Sequence, residues 1–330
     1  ARARHFTRAY QQSEGLDPHL RNARALARTL ACQGIAIEPD ERLAGSKTER
    51  YLAGPLSVER GDFLRALQLE LEVAGDKIQP FTVSAEDRRA FYNEVLPYWE
   101  GRTVRDRKAQ LWRQQGLIDG RTGLAAGLSR AGAALRLARH LGLAGGRRLL
   151  GANLRGRPTV RRLRNLFASR HQLAENNPTP AIYCFDVQGH LSLGVDKVVG
   201  RGMGALIDEA RARLRALRPD EADLADNRVF LEAVIISLEA AIAYAGRFAR
   251  LARQLADRAA DTGERRRLEA IAEHCSRVPR HPPRTFHEAL QAVHLTLLVG
   301  EIQYGTHEVF AVGRLDQVLY PLFAADMAQG

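Results

Sequence analysis

The chain has 330 residues, 45% of them hydrophobic and 26% charged, with a formal net charge of +11. That balance supports a sizeable core and excludes wholesale disorder. Cys32, Cys184 and Cys275 are widely separated, which argues against a disulfide framework or a cysteine-built zinc site and makes a reducing cytoplasm the expected compartment.

Each cysteine is expected to be a buried small apolar residue. The N-terminus, Ala1-Arg-Ala-Arg-His-Phe6, carries charges with no apolar stretch behind them, and no initiator Met precedes it. No signal peptide is expected, and both ends read as cuts in a longer reading frame. No apolar run approaches the roughly 20 residues that span a bilayer, so no membrane segment is expected.

Residues 19–33 are rich in Ala, Leu and Arg and predict a helix that closes at Gly34 as its C-cap. Residues 35–46 form a turn-rich connector around Pro39-Asp40. Residues 57–74 carry apolar side chains at helical spacing. Ser84 stands three before Asp87, a capping-box pattern opening a helix that Pro97 ends. Residues 121–174 contain no Asp or Glu and many Arg. They predict basic helices broken at Gly145-Gly146 and Gly156-Arg-Pro158. A phosphate backbone would be drawn to such a stripe. With Phe167 as its lone aromatic, however, the stretch fits a solvated face better than a base-stacking surface.

Residues 181–187 predict a buried strand. Gly189 to Gly194 then turns into a helix over 196–217. Gly200-x-Gly202-x-Gly204 lies inside that helix and no P-loop Lys follows, so close helix packing is expected rather than nucleotide binding. Residues 226–260 predict a long helix. Its part 229–245 carries only Glu232 and Glu239 as charges and is expected to be buried on nearly every face. A helix over 264–275, a break at 278–283, a Thr285-capped helix to about Gly300, a β-like run at 309–312 and a helix from Leu315 complete the chain. There is no internal repeat and no linker long enough for two independent domains.

Several segments in order carry a family resemblance: Ala23-Arg-Ala-Leu-Ala27, Ile35 to Glu41 with Gly45-Ser46, Pro80 to Arg88, and Leu96-Pro-Tyr-Trp-Glu-Gly-Arg-Thr103. They continue with Gly189-His190 and its helix, Phe230 to Val234, Ala245 to Ala249, Thr285-Phe-His-Glu-Ala-Leu-Gln291, Gly313-Arg-Leu-Asp-Gln317 and Leu319-Tyr-Pro321. Together they resemble the N-terminal part of the large domain of glycyl radical enzymes, the pyruvate formate-lyase-like superfamily, with residues 1–330 as an incomplete domain of that type.

The resemblance implies a mainly α fold with short strands, the N-terminal portion of a ten-stranded α/β barrel. It implies a lyase of the dehydratase, decarboxylase or C–X lyase branch, in which a cysteine thiyl radical, generated by a glycyl radical, takes a hydrogen atom from a small organic substrate. A water-poor barrel protects such a radical. Neither a Cys followed closely by Glu nor an Arg-Val-x-Gly segment occurs here, so both radical carriers are expected beyond this chain. This segment alone is then expected to be inactive.

No catalytic residue, metal ligand or bound cofactor is assigned. An S-adenosylmethionine-dependent activating enzyme would install the glycyl radical, and the full-length protein would be a cytoplasmic homodimer of anaerobic metabolism. The resemblance makes His190, His307 and Glu308 substrate-binding residues, since a His and a carboxylate can orient a hydroxyl and move a proton as it leaves. The bland alternatives are a structural His190 held by a strand-end carbonyl and a solvent-exposed His307-Glu308. That pair opens no His-Glu-x-x-His motif, so a zinc protease is excluded. Arg314 and Asp316 are expected to form a buried pair. Two other readings stand beside this one: a basic helical nucleic-acid-binding protein, and a non-catalytic subunit completed by a second chain.

Overall fold

The computed structural model describes residues 1–49, 56–61, 84–114, 190–304 and 309–329. The Arg-rich stretch, the expected strand at 181–187 and most of the expected helix at 57–74 lie outside them. Residues 1–56 and 189–330 make one unit, and 57–188 a second.

In the second unit the described residues give a 3-10 turn, Val58–Arg60, and α3, Ala85–Ala90. A π turn, Phe91–Val95, leads into α4, Leu96–Trp99, and then α5, Val104–Gln114. Ser84 caps α3 as its spacing predicts, accepting from the Asp87 N–H at 3.0 Å. Pro97 does not stop the chain. It sits in the first turn of α4, and the wide π turn before it accommodates the missing N–H and the ring's clash with the fourth carbonyl back. Tyr98 and Trp99 are buried edge to face at 5.1 Å. Thr103 and Asp106 cap α5 reciprocally, with N–H to side-chain distances of 3.1 and 3.2 Å. The Leu96–Thr103 motif is therefore packing and turn chemistry.

The first unit opens with α1, Arg2–Gln12, which its many charges hide from sequence reading, and α2, Pro18–Cys32. Asp17 caps α2 by accepting from His19 N at 2.7 Å. Gly34 is not a left-handed cap: Gln33 ends the helix in extended backbone. Instead, Glu49 passes so close that a Cβ on Gly34 would lie 2.3 Å from its carboxylate. After β1, His190–Ser192, come α6, Val195–Arg215, α7, Leu224–Ala256, and α8, Thr262–Arg277. The unit closes with α9, Phe286–Tyr304, β2, Val309–Ala311, and α10, Leu315–Gln329.

The core gathers Leu26 and Leu30 of α2, Tyr244 and Phe248 of α7, Ile271 of α8, and Leu295 and Ile302 of α9. The expectation that 229–245 is buried on nearly every face fails. Within this chain α7 buries a stripe at Ala233, Ala241, Tyr244 and Ala245, while Phe230 is 54% exposed. Among the described helices the most enclosed is α9, with Ala289, Ala292, Val293, Leu295, Leu298 and Ile302 all buried. By length and composition α7 could cross a membrane, its most apolar 18 residues having a mean hydropathy of 1.8, which corrects the expectation that no run is apolar enough. Its buried stripe packs here against α2, α8 and α9, while most of the apolar window is left uncovered by this chain.

The Gly200–Gly204 segment packs closely, as expected. Gly202 breaks the helical path of α6 with φ +76°, and the turn after α8 docks there, Pro279 and Arg280 accepting from Met203 N and Gly204 N at 2.8 Å each. A Cβ on Gly202 would lie 2.4 Å from the Arg280 carbonyl. Gly202→Ala is expected to destabilise the protein by about 1–3 kcal/mol from the backbone conformation alone. A denaturation midpoint equal to the parent's would refute that.

Candidate active site

Two short strands lie where the candidate residues converge in sequence. β1 and β2 pair in parallel, with His190 opposite Val309, Leu191 opposite Phe310 and Ser192 opposite Ala311. Among the described residues β1 therefore includes His190 itself, where the sequence reading placed a turn. His307 and Glu308 lie outside the described residues. Val309, one residue after Glu308, is the backbone partner of His190.

Alternation along a strand gives the pair two faces. One packs on α9: a Cβ at Gly300 would meet Leu193 at 2.7 Å and Phe310 at 3.4 Å, so only glycine admits the strands this closely. Ser192 and Ala311, register partners of opposite alternation to Phe310, are exposed. The C-terminal turn of α9, which leads toward 305–308, is tied down. The buried Arg2 guanidinium donates to the carbonyls of Ile302 and Gln303 and, at 2.8 Å, to that of Leu56. A cation there also complements the helix dipole. Lys47 and Glu301 pair at 2.5 Å beside it. Sequence reading missed Arg2, since burial of a charge among carbonyls leaves no mark in residue spacing.

The Thr285–Gln291 motif serves architecture. Gln291, fully buried, accepts from Ala44 N at 2.8 Å and donates to Ala44 O at 2.7 Å, which fixes the 35–46 connector onto α9. Glu288 is buried and takes Arg284 N and its guanidinium at 2.6 Å each. Tyr244 donates to Ser46 O at 2.7 Å and accepts from Gln33 at 2.6 Å, and burial pushes its hydroxyl up to about 12. Arg314 and Asp316 do pair, at 2.6 Å, but with side chains 68% and 63% exposed. The expected buried pair is thus a solvated one at the start of α10, worth little.

A cleft of about 550 Å³ between α2 and α7, lined by Leu30, Ile236, Ala240 and Arg247 among others, holds none of the three candidate residues. Among the described residues no group of His, Cys, Asp and Glu is placed to hold a metal ion. Cys275 is buried, and burial pushes its thiol up to about 12, whereas Cys32 is exposed, against expectation, at the solvent side of the last residue of α2. Iodoacetamide at neutral pH is expected to label Cys32 in the native protein and to leave Cys275 unmodified until denaturant is added. Mass spectrometry that found Cys275 labelled first would contradict this burial.

The pyruvate formate lyase-like family model matches residues 1–134 and 167–330. The unmatched residues 135–166 fall inside the Arg-rich stretch. Over the whole chain the protein is 29% identical to isethionate sulfite-lyase of Nitratidesulfovibrio vulgaris, and spans 34% of that relative's length. It is 27% identical to (2S)-3-sulfopropanediol dehydratase of Klebsiella oxytoca, over 99% of this chain and 33% of the relative. Among solved structures, a glycyl radical enzyme from Archaeoglobus fulgidus shares the fold with a TM-score of 0.72 at 24% identity, covering 100% of this chain and 35% of that one. The match is to the N-terminal part of these proteins, and the chain spans about a third of their length. The relatives are lyases and dehydratases. The chain belongs to the pyruvate formate lyase-like family of glycyl radical enzymes.

Proposed function

We propose that this member of the pyruvate formate lyase-like family is the N-terminal segment of a cytoplasmic lyase or dehydratase that acts on a small hydroxylated organic molecule. In this reading β1 and β2 are the first strands of a ten-stranded barrel. His190, His307 and Glu308 meet at its wall and hold the substrate's polar groups. The thiyl and glycyl carriers come from residues outside these 330, and a separate activating enzyme installs the radical with S-adenosylmethionine. The full protein works as a homodimer.

The observation that supports the reading is the parallel pairing of His190 with Val309, which brings two sequence-distant candidate segments to one pair of strands. Paired strands lie about 4.8 Å apart, so a molecule of a few heavy atoms reaches side chains from both. A His and a carboxylate at such a wall can hydrogen-bond a hydroxyl and pass a proton to it as it departs. The bulk of the helical segment supplies the dry wrapping in which those contacts are strong.

The test uses the complete protein, incubated anaerobically with its activating enzyme and S-adenosylmethionine. A glycyl-type EPR doublet is expected, with turnover of one or more of isethionate, (2S)-3-sulfopropanediol and glycerol. The 330-residue segment by itself is expected to give neither. A complete protein that forms no doublet, or a segment that forms one alone, overturns the reading.

A further inference from the structure

The exposed face of the strand pair carries one more polar group. Ser192 is exposed. Its register partner, Ala311, is exposed as well, while Leu193 and Phe310 take the packed side against Gly300. A strand that buries its apolar side chains on a helix and turns a serine beside an alanine the other way presents a small, polar, uncrowded step on its open face.

We propose that Ser192 is a further substrate-contacting residue and Ala311 a size-determining one, resting on the reading of this strand pair as the wall of the substrate site. Residues two apart on a strand are about 6.6–6.8 Å apart and share a face. A molecule whose polar groups are separated by two or three bonds therefore reaches from the position of His190 to the Ser192 hydroxyl. A hydroxyl both donates and accepts, so it suits a substrate hydroxyl or an anionic oxygen equally. Across the strand pair, about 4.8 Å away, the methyl group of Ala311 leaves the room that a larger side chain would fill. The ligand class this step fits is a two- or three-carbon compound with a polar group at each end.

The complete, activated protein is assayed with whichever of isethionate, (2S)-3-sulfopropanediol and glycerol it turns over best, alongside His307→Ala. Ser192→Ala is expected to raise KM roughly tenfold, the effect of one lost hydrogen bond, with kcat changed by less than about threefold and the EPR doublet undiminished. Ser192→Thr restores most of the loss, because it keeps the hydroxyl. Ala311→Leu is expected to lower kcat/KM more for the three-carbon compounds than for isethionate. Wild-type KM in Ser192→Ala, or equal losses for all three compounds in Ala311→Leu, overturns the inference while a deficit in His307→Ala leaves the underlying reading standing. A protein indifferent to His307→Ala, or turning over none of the three, removes that reading and the inference together.

Discussion

His307→Ala and Glu308→Gln, made separately in the complete protein, are expected to reduce turnover by roughly 10²–10⁴-fold, the range of a lost acid–base group. The glycyl radical signal should persist in both, because neither residue carries the radical in the proposed site. The expectation rests on the proposed site: His190 is the backbone partner of Val309, the residue that follows His307-Glu308 in sequence. Glu308→Gln keeps size and hydrogen-bonding capacity but cannot take or give the proton, so its loss should fall mainly on kcat. His307→Ala removes an orienting contact as well, so KM should rise too. Loss of the doublet would move these residues into the support of the radical itself. Activity near that of the parent would return the pair to the solvent-exposed alternative.

Where the chain itself signals a helix end, the sequence was easily legible. Ser84 and Thr285 cap the helices their spacing announces, the latter accepting from Glu288 N at 3.1 Å, and the apolar run after His307-Glu308 is the strand β2. Misreadings arose where the deciding partner is remote. Gly34 resembles a helix cap in sequence but serves the close passage of Glu49, and Pro97 resembles a stop but follows a π turn that absorbs it. The apolar run 229–245 reads as buried all round, yet burial depends on what packs against it, and this chain covers only one stripe. Arg314-Asp316 was read correctly as a pair and wrongly as buried. For the site, His190, His307 and Glu308 came from family resemblance, since no spacing rule links residues so far apart in sequence. The pairing of His190 with Val309 gives that resemblance a physical route, and Ser192 and Ala311 became visible only through the register.

Glu288→Ala is expected to cost about 2–3 kcal/mol of stability. The carboxylate is 1% exposed and engaged on both oxygens, by Arg284 N and the Arg284 guanidinium, with Arg277 at 3.4 Å. Truncation would leave those donors facing a cavity at the first turn of α9. Breaking a fully buried ion pair costs about 3–5 kcal/mol, but the Arg284 side chain is 53% exposed and regains water, which brings the effect to the floor of that range or below it. Glu273→Ala removes the other carboxylate on Arg284, 65% exposed at 2.8 Å, and should cost no more than about 1 kcal/mol. The pH dependence follows from the sign of the shift at Glu288. Burial alone would raise its pKa, but the Arg284 hydrogen bonds and the nearby Arg277 charge outweigh it, so the folded value lies below the ordinary 4.5. A depressed carboxylate contributes stability above its unfolded pKa and loses it as pH falls through the folded one. The gap in denaturation midpoint between the parent and Glu288→Gln should therefore be widest near neutrality and narrow below about pH 4.5. A gap that widens on acidification, or a Glu273→Ala loss matching that of Glu288→Ala, would show that Arg284 rather than the buried carboxylate organises this corner.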